Sequence, residues 1–201
     1  MPAATNDDWI GTSGAWSVAG NWSLGTPGSG DNAVFDTGIP VFVTYATTDA
    51  IAALSDPGDP YATLDLTAGA LSLTGGAWDG GIDQAAGSLA LGAGTLTLSG
   101  PATLAGAIAG PGVIAITGTA EALSGLAVSG GATLAVSGAL ETSGAVTLGA
   151  APSDASAISI ESGATFVIAN PTTLAGEGTG GLFNSGLIEQ LASGTSDIAG
   201  H

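Results

Sequence analysis

Leu64-Asp65-Leu66-Thr67-Ala68-Gly69-Ala70-Leu71-Ser72-Leu73 matches Leu89-Ala90-Leu91-Gly92-Ala93-Gly94-Thr95-Leu96-Thr97-Leu98 position for position. Two further copies carry one extra residue after the glycine. They are Leu126-Ala127-Val128-Ser129-Gly130-Gly131-Ala132-Thr133-Leu134-Ala135-Val136 and Ile158-Ser159-Ile160-Glu161-Ser162-Gly163-Ala164-Thr165-Phe166-Val167-Ile168. Each runs apolar, small, apolar, then a short turn containing Gly, then apolar, small, apolar. That is the period-two alternation of a half-buried strand on either side of a bend. The bends read Thr-Ala-Gly, Gly-Ala-Gly, Ser-Gly-Gly and Glu-Ser-Gly, without the Asn-Gly or Asp-Gly pair of a two-residue hairpin. A bend that redirects the chain without reversing it suits a solenoid better than a hairpin meander or a β-sandwich. The expected fold is therefore all-β, a parallel β-solenoid, right-handed by default. Weaker strands are expected at Val113 to Ile116 and Val146 to Leu148. The uneven starts of the copies, at 64, 89, 126 and 158, fit coils that share a cross-section and differ in their loops. At the four bends Gly69, Gly94, Gly131 and Gly163 are expected to hold positive φ.

Working outward, the chain divides by composition. Eight of its ten aromatic residues lie at or before Trp78, and only Phe166 and Phe183 lie beyond. Asp56-Pro57-Gly58-Asp59-Pro60 is a strong turn signal at the junction. This places a Trp- and Asp-rich section over 1–60, read as a cap or assembly region, ahead of solenoid repeats over 61–201. Trp9, Trp16 and Trp22 sit among Gly and Ser. There they serve either as one bulky plug on the first coil or as an aromatic surface for stacking sugar rings.

The whole chain, 201 residues, has the size of one domain. Seventeen acidic residues face no Lys or Arg, for a formal net charge of −17. That removes phosphate clamps, Schiff-base lysines and the cationic patch on which nucleic-acid binding depends. Nucleic acid is thus excluded as an electrostatic partner, and the chain offers trypsin-like proteases no site. With 45% hydrophobic residues the chain should fold. No apolar run approaches a membrane span, so no membrane insertion is expected. Cysteine is absent, so there is neither a disulfide nor a thiolate site. Met1-Pro2-Ala3-Ala4-Thr5-Asn6-Asp7-Asp8 has no basic or apolar region of a signal peptide.

The stretch Asp8-Trp9-Ile10-Gly11-Thr12-Ser13-Gly14-Ala15-Trp16-Ser17-Val18-Ala19-Gly20-Asn21-Trp22-Ser23, followed by Pro27, Gly30, Asp31, Ala33, Val34 and Phe35, resembles the opening of bacterial autotransporter-like passenger regions and related large surface β-solenoid proteins. Leu182-Phe183-Asn184-Ser185-Gly186-Leu187-Ile188-Glu189 similarly looks like the Asn-x-Gly-x-Ile corners of such solenoids. The resemblance implies an extracellular or cell-surface location. It also implies that enzymatic relatives cleaving acidic polysaccharides would need an Arg or Lys, which this chain lacks.

Chemistry is sparse. His201, the only histidine, is the last residue and has no partners for a triad or a metal site. Carboxylate pairs for glycoside hydrolysis would be Asp79 with Asp83, beside Trp78, or Asp56 with Asp59, though each also reads as a turn residue. Asp49, Asp56, Asp59 and Asp65 could supply oxygens to calcium, while Gly80-Gly81-Ile82-Asp83 is one imperfect fragment of a calcium nonapeptide. No catalytic, cofactor or metal residue is assigned, and an enzyme is not expected. The expected function is a structural extracellular or surface solenoid that self-assembles end to end into a filament or matrix fibre. That makes the partner of the chain another copy in a head-to-tail fibre. An adhesin-like or carbohydrate-binding module, with surface glycans as partners, is the alternative.

Overall fold

A computed structural model describes residues 4–57, 60–123, 125–191 and 193–198. The alternating stretches form short parallel strands stacked in three sheets of nine, nine and eight strands, a parallel β-solenoid of about eight turns. From Asp31 onward the chain passes through the first, second and third sheet in order in each turn, whereas the first turn gives strands only to the first two sheets. One turn, for example, runs Thr95–Leu98, Ala102–Leu104, Ala107–Ala109. The expected strands at Val113–Ile116 and Val146–Leu148 are present with those bounds. The sheets run through residue 60 without interruption, since Val41–Tyr45 pairs along its length with Ala62–Leu66.

The repeated sequence unit is a bend, not a coil. Gly69 turns the chain from the second sheet to the third, Gly94 and Gly131 from the third to the first, and Gly163 from the first to the second. One strand-bend-strand solution is therefore used at all three corners, which is why its copies are unevenly spaced. True coil length is read from the pairing instead. Leu96 meets Ile114, 18 residues on, whereas Leu148 meets Gly176, 28 residues on. Gly69, Gly131 and Gly163 hold positive φ as expected, but Gly94 does not. Gly94 is required for another reason: a side chain there would land on the Thr74 carbonyl oxygen of the coil below.

Inward columns of Leu, Ile and Val fill the bore, such as Leu96, Ile114, Leu134 and Ile158 on the first sheet. At the N-terminal end this filling changes to aromatics. Trp9, Trp16, Trp22, Phe35, Tyr45 and Trp78 are all buried and interlock mostly edge to face, with Trp16 and Trp22 centroids 4.7 Å apart and Trp9 stacked on Phe35. The wider rings plug the first coils.

Polar groups close the same end. The backbone oxygen of Asn21 accepts from Ile10 N and Gly11 N, and Ser23 N donates to Asp8 O. Trp9 and Trp22 form an antiparallel bridge, so the segment around Asn21 runs against the free edge of the first sheet. The Asn21 amide also donates to Ala15 O on the first strand of the second sheet, at 3.2 Å. Buried Asp7 holds the loop from below, accepting from Leu24 N at 2.8 Å and from Ser23 Oγ. On the third sheet the first strand is Thr48–Ala50, and Tyr45 Oη accepts from Asp49 N at 3.0 Å while donating to Ala70 O at 2.9 Å. The first and second sheets therefore begin against a partner, while on the third Tyr45 bridges the first two strands. Such edges are otherwise templates for further pairing.

Burial pushes the Tyr45 phenol up to about 12 from its ordinary 10.0, and the Asp49 carboxylate adds to this. Because the folded value is the higher one, the stability that the neutral phenol contributes is whole below pH 10 and is lost as pH rises through about 12. In a Tyr61→Phe background, alkaline unfolding should follow Tyr45 ionisation. Tyr45→Phe should abolish that dependence while lowering neutral-pH stability by about 1–2 kcal/mol, through two orphaned backbone groups. Denaturant melts from neutral pH to about pH 12 check this.

Candidate functional site

Outward positions differ sharply among the three sheets. On the first they are Gly75, Ala77, Thr97, Ala115, Ala135, Ser159 and similar small residues, and on the third Ser72, Ala90, Ala109 and Ala127. Neither face carries a charge between Ala53 and Ser159. On the second sheet one outward column runs Thr44, Asp65, Asp83, Thr103, Glu121, Glu141, Val167, Glu189. Five carboxylates thus lie in one row, spaced by multiples of the roughly 4.8 Å between strands. Like charges directly opposite each other oppose pairing, and no cation within the chain offsets them.

The second column of that face is small where the acids are dense: Gly81, Pro101, Thr119 and Ala139. The difference in height opens a groove of about 480 Å³, bordered by Asp83, Thr103, Glu121 and Glu141. Ser143 Oγ donates to Glu121 Oε1 at 3.0 Å and steadies one wall. Hydroxyl and carboxylate groups over a flat apolar floor can hydrogen-bond an extended polar chain.

The residues singled out from the sequence do not converge. Asp83 faces the groove, whereas Asp79 lies in the preceding bend and accepts from Ser99 Oγ. Asp56 is buried, and Asp59 and His201 lie outside the described residues. Of the four possible calcium ligands, Asp49 sits at the start of the third sheet, bonded by Thr47 Oγ1, and Asp65 on the second. Among the described residues no three His, Asp or Glu side chains gather closely enough to hold a metal ion. No helix of the described residues is long and apolar enough to cross a membrane. The three early Trp are 0–3% exposed, so they offer no surface for stacking sugars, and the plug is their role.

A carboxylate that sequence reasoning passed over is the most heavily bonded one. Asp154 accepts from Ser156 Oγ at 2.6 Å and from the backbone N–H groups of Ala150, Gly130, Gly131 and Ser156 at 2.8–3.0 Å. It clasps the loop of the longest coils to the neighbouring bend. The only signal for it was the pair of glycines at 130 and 131, both with positive φ and both pointing N–H groups at one place. The Ser156 hydroxyl and then these N–H groups hold the Asp154 carboxyl well below the usual carboxylate range. A folded value below the unfolded one gives stability that is present above the ordinary range and lost as pH falls beneath it. Asp154→Ala should cost about 1–2 kcal/mol at neutral pH, after allowance for solvent screening, and nothing further on acidification. Urea melts of the two proteins from neutral pH to about pH 2 should converge as the carboxylate protonates.

Comparison with known protein families, with curated proteins and with solved structures gives no match, so what can be said of function derives from the geometry of this chain.

Proposed function

We propose that this chain is a structural rod of an extracellular or cell-surface assembly, of the autotransporter-passenger type, that associates end to end into a filament or matrix fibre. One observation carries this: three continuous parallel sheets stack about eight coils around a filled apolar bore, a repetitive rod whose first and third faces carry small uncharged residues over most of their length. Among the described residues, Ile188, Leu191 and Ile198 are exposed, whereas inward residues of the central coils are buried. At the N-terminal end the edges of the first and second sheets are occupied by Asn21 and Ser23. A contact using that end would meet the exposed Ile10, Val18 and Leu24 of the closing loop instead. The Trp-rich opening, folded as a plug, and the bend at Asn184, where Gly186 N donates to Asn184 Oδ1, agree with the surface-solenoid resemblance.

With −17 net charge, association should strengthen as salt shortens the Debye length to about 8 Å at physiological ionic strength. Light scattering and electron microscopy across a salt series test it. A single rod spans roughly 40 Å along its axis at 4.8 Å per coil, so longer particles are the expected result. A strictly monomeric protein at high concentration and salt would overturn the proposal.

The groove on the second sheet favours a second reading, an adhesin-like module that holds a glycan chain against Asp83, Glu121 and Glu141. Glycan-array binding that is lost in a Glu121→Ala, Glu141→Ala double variant would support it, and no binding by the native chain would dismiss it.

A further inference from the structure

The strands that floor the groove on the second sheet close it to one kind of partner. Gly81–Gln84, Ala102–Leu104, Thr119–Ala122 and Ala139–Thr142 are each paired on both sides, so no backbone edge is open to a peptide strand. A ligand there is held by side chains alone. We infer that the groove takes a glycan chain bearing free amino groups, laid along the rod axis with its amines on Asp83, Glu121 and Glu141. This rests on the groove being a glycan site, and it adds the charge of the glycan.

Period, floor and charge point the same way. Rings of a straight pyranose chain advance by nearly the same distance as stacked coils, so one register carries past Asp83, Thr103, Glu121 and Glu141, roughly 14 Å in all. Thr103 stands between Asp83 and Glu121 and offers its hydroxyl to those of the sugar. The floor is small and apolar at Gly81, Pro101 and Ala139, where ring faces can lie flat. One coil below Thr63 the same column carries Phe42, 61% exposed, an aromatic ring on which a sugar can stack. Charge then selects among glycans. Glu121 lies directly opposite Glu141, and the chain has no Lys or Arg to set against them. A neutral ring over these carboxylates would take water from them and return nothing of opposite sign. A uronic-acid polymer would add to the repulsion. An ammonium group offsets both costs, with three N–H donors for the carboxylate oxygens.

Calorimetric titration of the native chain tests this at low salt and mildly acidic pH, where sugar amines are protonated and Asp and Glu stay charged. The probes are hexamers of glucosamine, of N-acetylglucosamine and of galacturonic acid. The glucosamine hexamer should bind about tenfold or more tightly than the N-acetylated one, which has the same chain without the charge. The galacturonate hexamer should not bind, and added salt should weaken the glucosamine complex. The Glu121→Gln, Glu141→Gln double variant should lose that preference with an unchanged circular dichroism spectrum. Glu161→Gln, in the bend before Gly163, should bind as the native chain does. Equal binding of the glucosamine and N-acetylglucosamine hexamers would overturn the role of the amine and leave the glycan reading standing. No binding of any hexamer would overturn the amino-glycan assignment, and a silent glycan array besides would dismiss the glycan reading too. An oligolysine of the same charge that binds as tightly as the glucosamine hexamer would show charge attraction without sugar recognition, and would also overturn the assignment.

Discussion

Replacing Gly69 with Val should abolish folding, while replacing Gly163 with Ala should cost only about 1–2 kcal/mol, although both glycines hold positive φ at equivalent bends. The difference lies in the neighbouring coil. A Cβ on Gly163 would meet nothing within 4 Å, so the substitution pays only for a left-handed backbone. A Cβ on Gly69 would overlap the carbonyl oxygen of Thr47, a backbone atom that cannot turn aside. The strand that begins at Ala70 depends on that oxygen, since Ala70 N donates to it at 2.9 Å. Opening the bend would therefore sacrifice pairing between the coils as well as strain the chain. Gly94 separates the two effects. It has no positive φ, yet its Cβ would overlap Thr74 O, so Gly94→Ala should cost more than Gly163→Ala, about 3 kcal/mol or more. Denaturant unfolding of the three variants checks the ranking, and equal losses at Gly94 and Gly163 would show that dihedral strain alone governs these corners.

The second large effect is expected in the plug. Trp16 is fully buried and packs against Trp22, Phe35 and Tyr45, with centroid distances of 4.7–6.2 Å. Trp16→Ala should cost about 3–5 kcal/mol, since the surrounding rings are held by one another and cannot collapse into the space. Phenylalanine variants distinguish packing from hydrogen bonding. Trp22 Nε1 donates to Trp16 O at 2.8 Å, whereas Trp16 Nε1 is buried without a partner. Trp16→Phe removes a donor that gains nothing, and Trp22→Phe leaves a buried carbonyl unsatisfied. Trp22→Phe should therefore be the more damaging of the two by about 1 kcal/mol. Tryptophan fluorescence during urea unfolding would measure both, and the reverse order would mean that ring volume outweighs the hydrogen bond.

These two regions also show what a sequence can disclose. Alternation around Gly69 or Gly131 is a local property, so strands and bends were visible, and the crowding of Trp before residue 23 marked the plug. Register is not local. That the bend at Gly94 belongs to a different corner from the one at Gly69 depends on which coil lies beneath each. The same holds for the acidic row. Asp65, Asp83, Glu121, Glu141 and Glu189 are separated by 18, 38, 20 and 48 residues, and they align only once coils of unequal length are stacked. Asn21 was invisible for another reason. An asparagine in a Gly- and Ser-rich loop looks like any turn residue, and its hold on two sheet edges exists only when the loop folds back across them.

The unequal coils give the rod an uneven mechanical character. Hydrogen bonds between coils lie along the axis, so a force drawing the two ends apart peels strands away instead of shearing a whole sheet. Each coil touches only its neighbours, and it should leave as a unit. Unwinding a coil of 18 residues can release at most roughly 60 Å of chain, and one of 28 residues roughly 100 Å. Pulled from its C-terminus, the molecule should lengthen first in large steps, from the coils around Asp154, and then in shorter and more regular ones. The tryptophan plug, held by rings from several coils at once, should be the last part to yield.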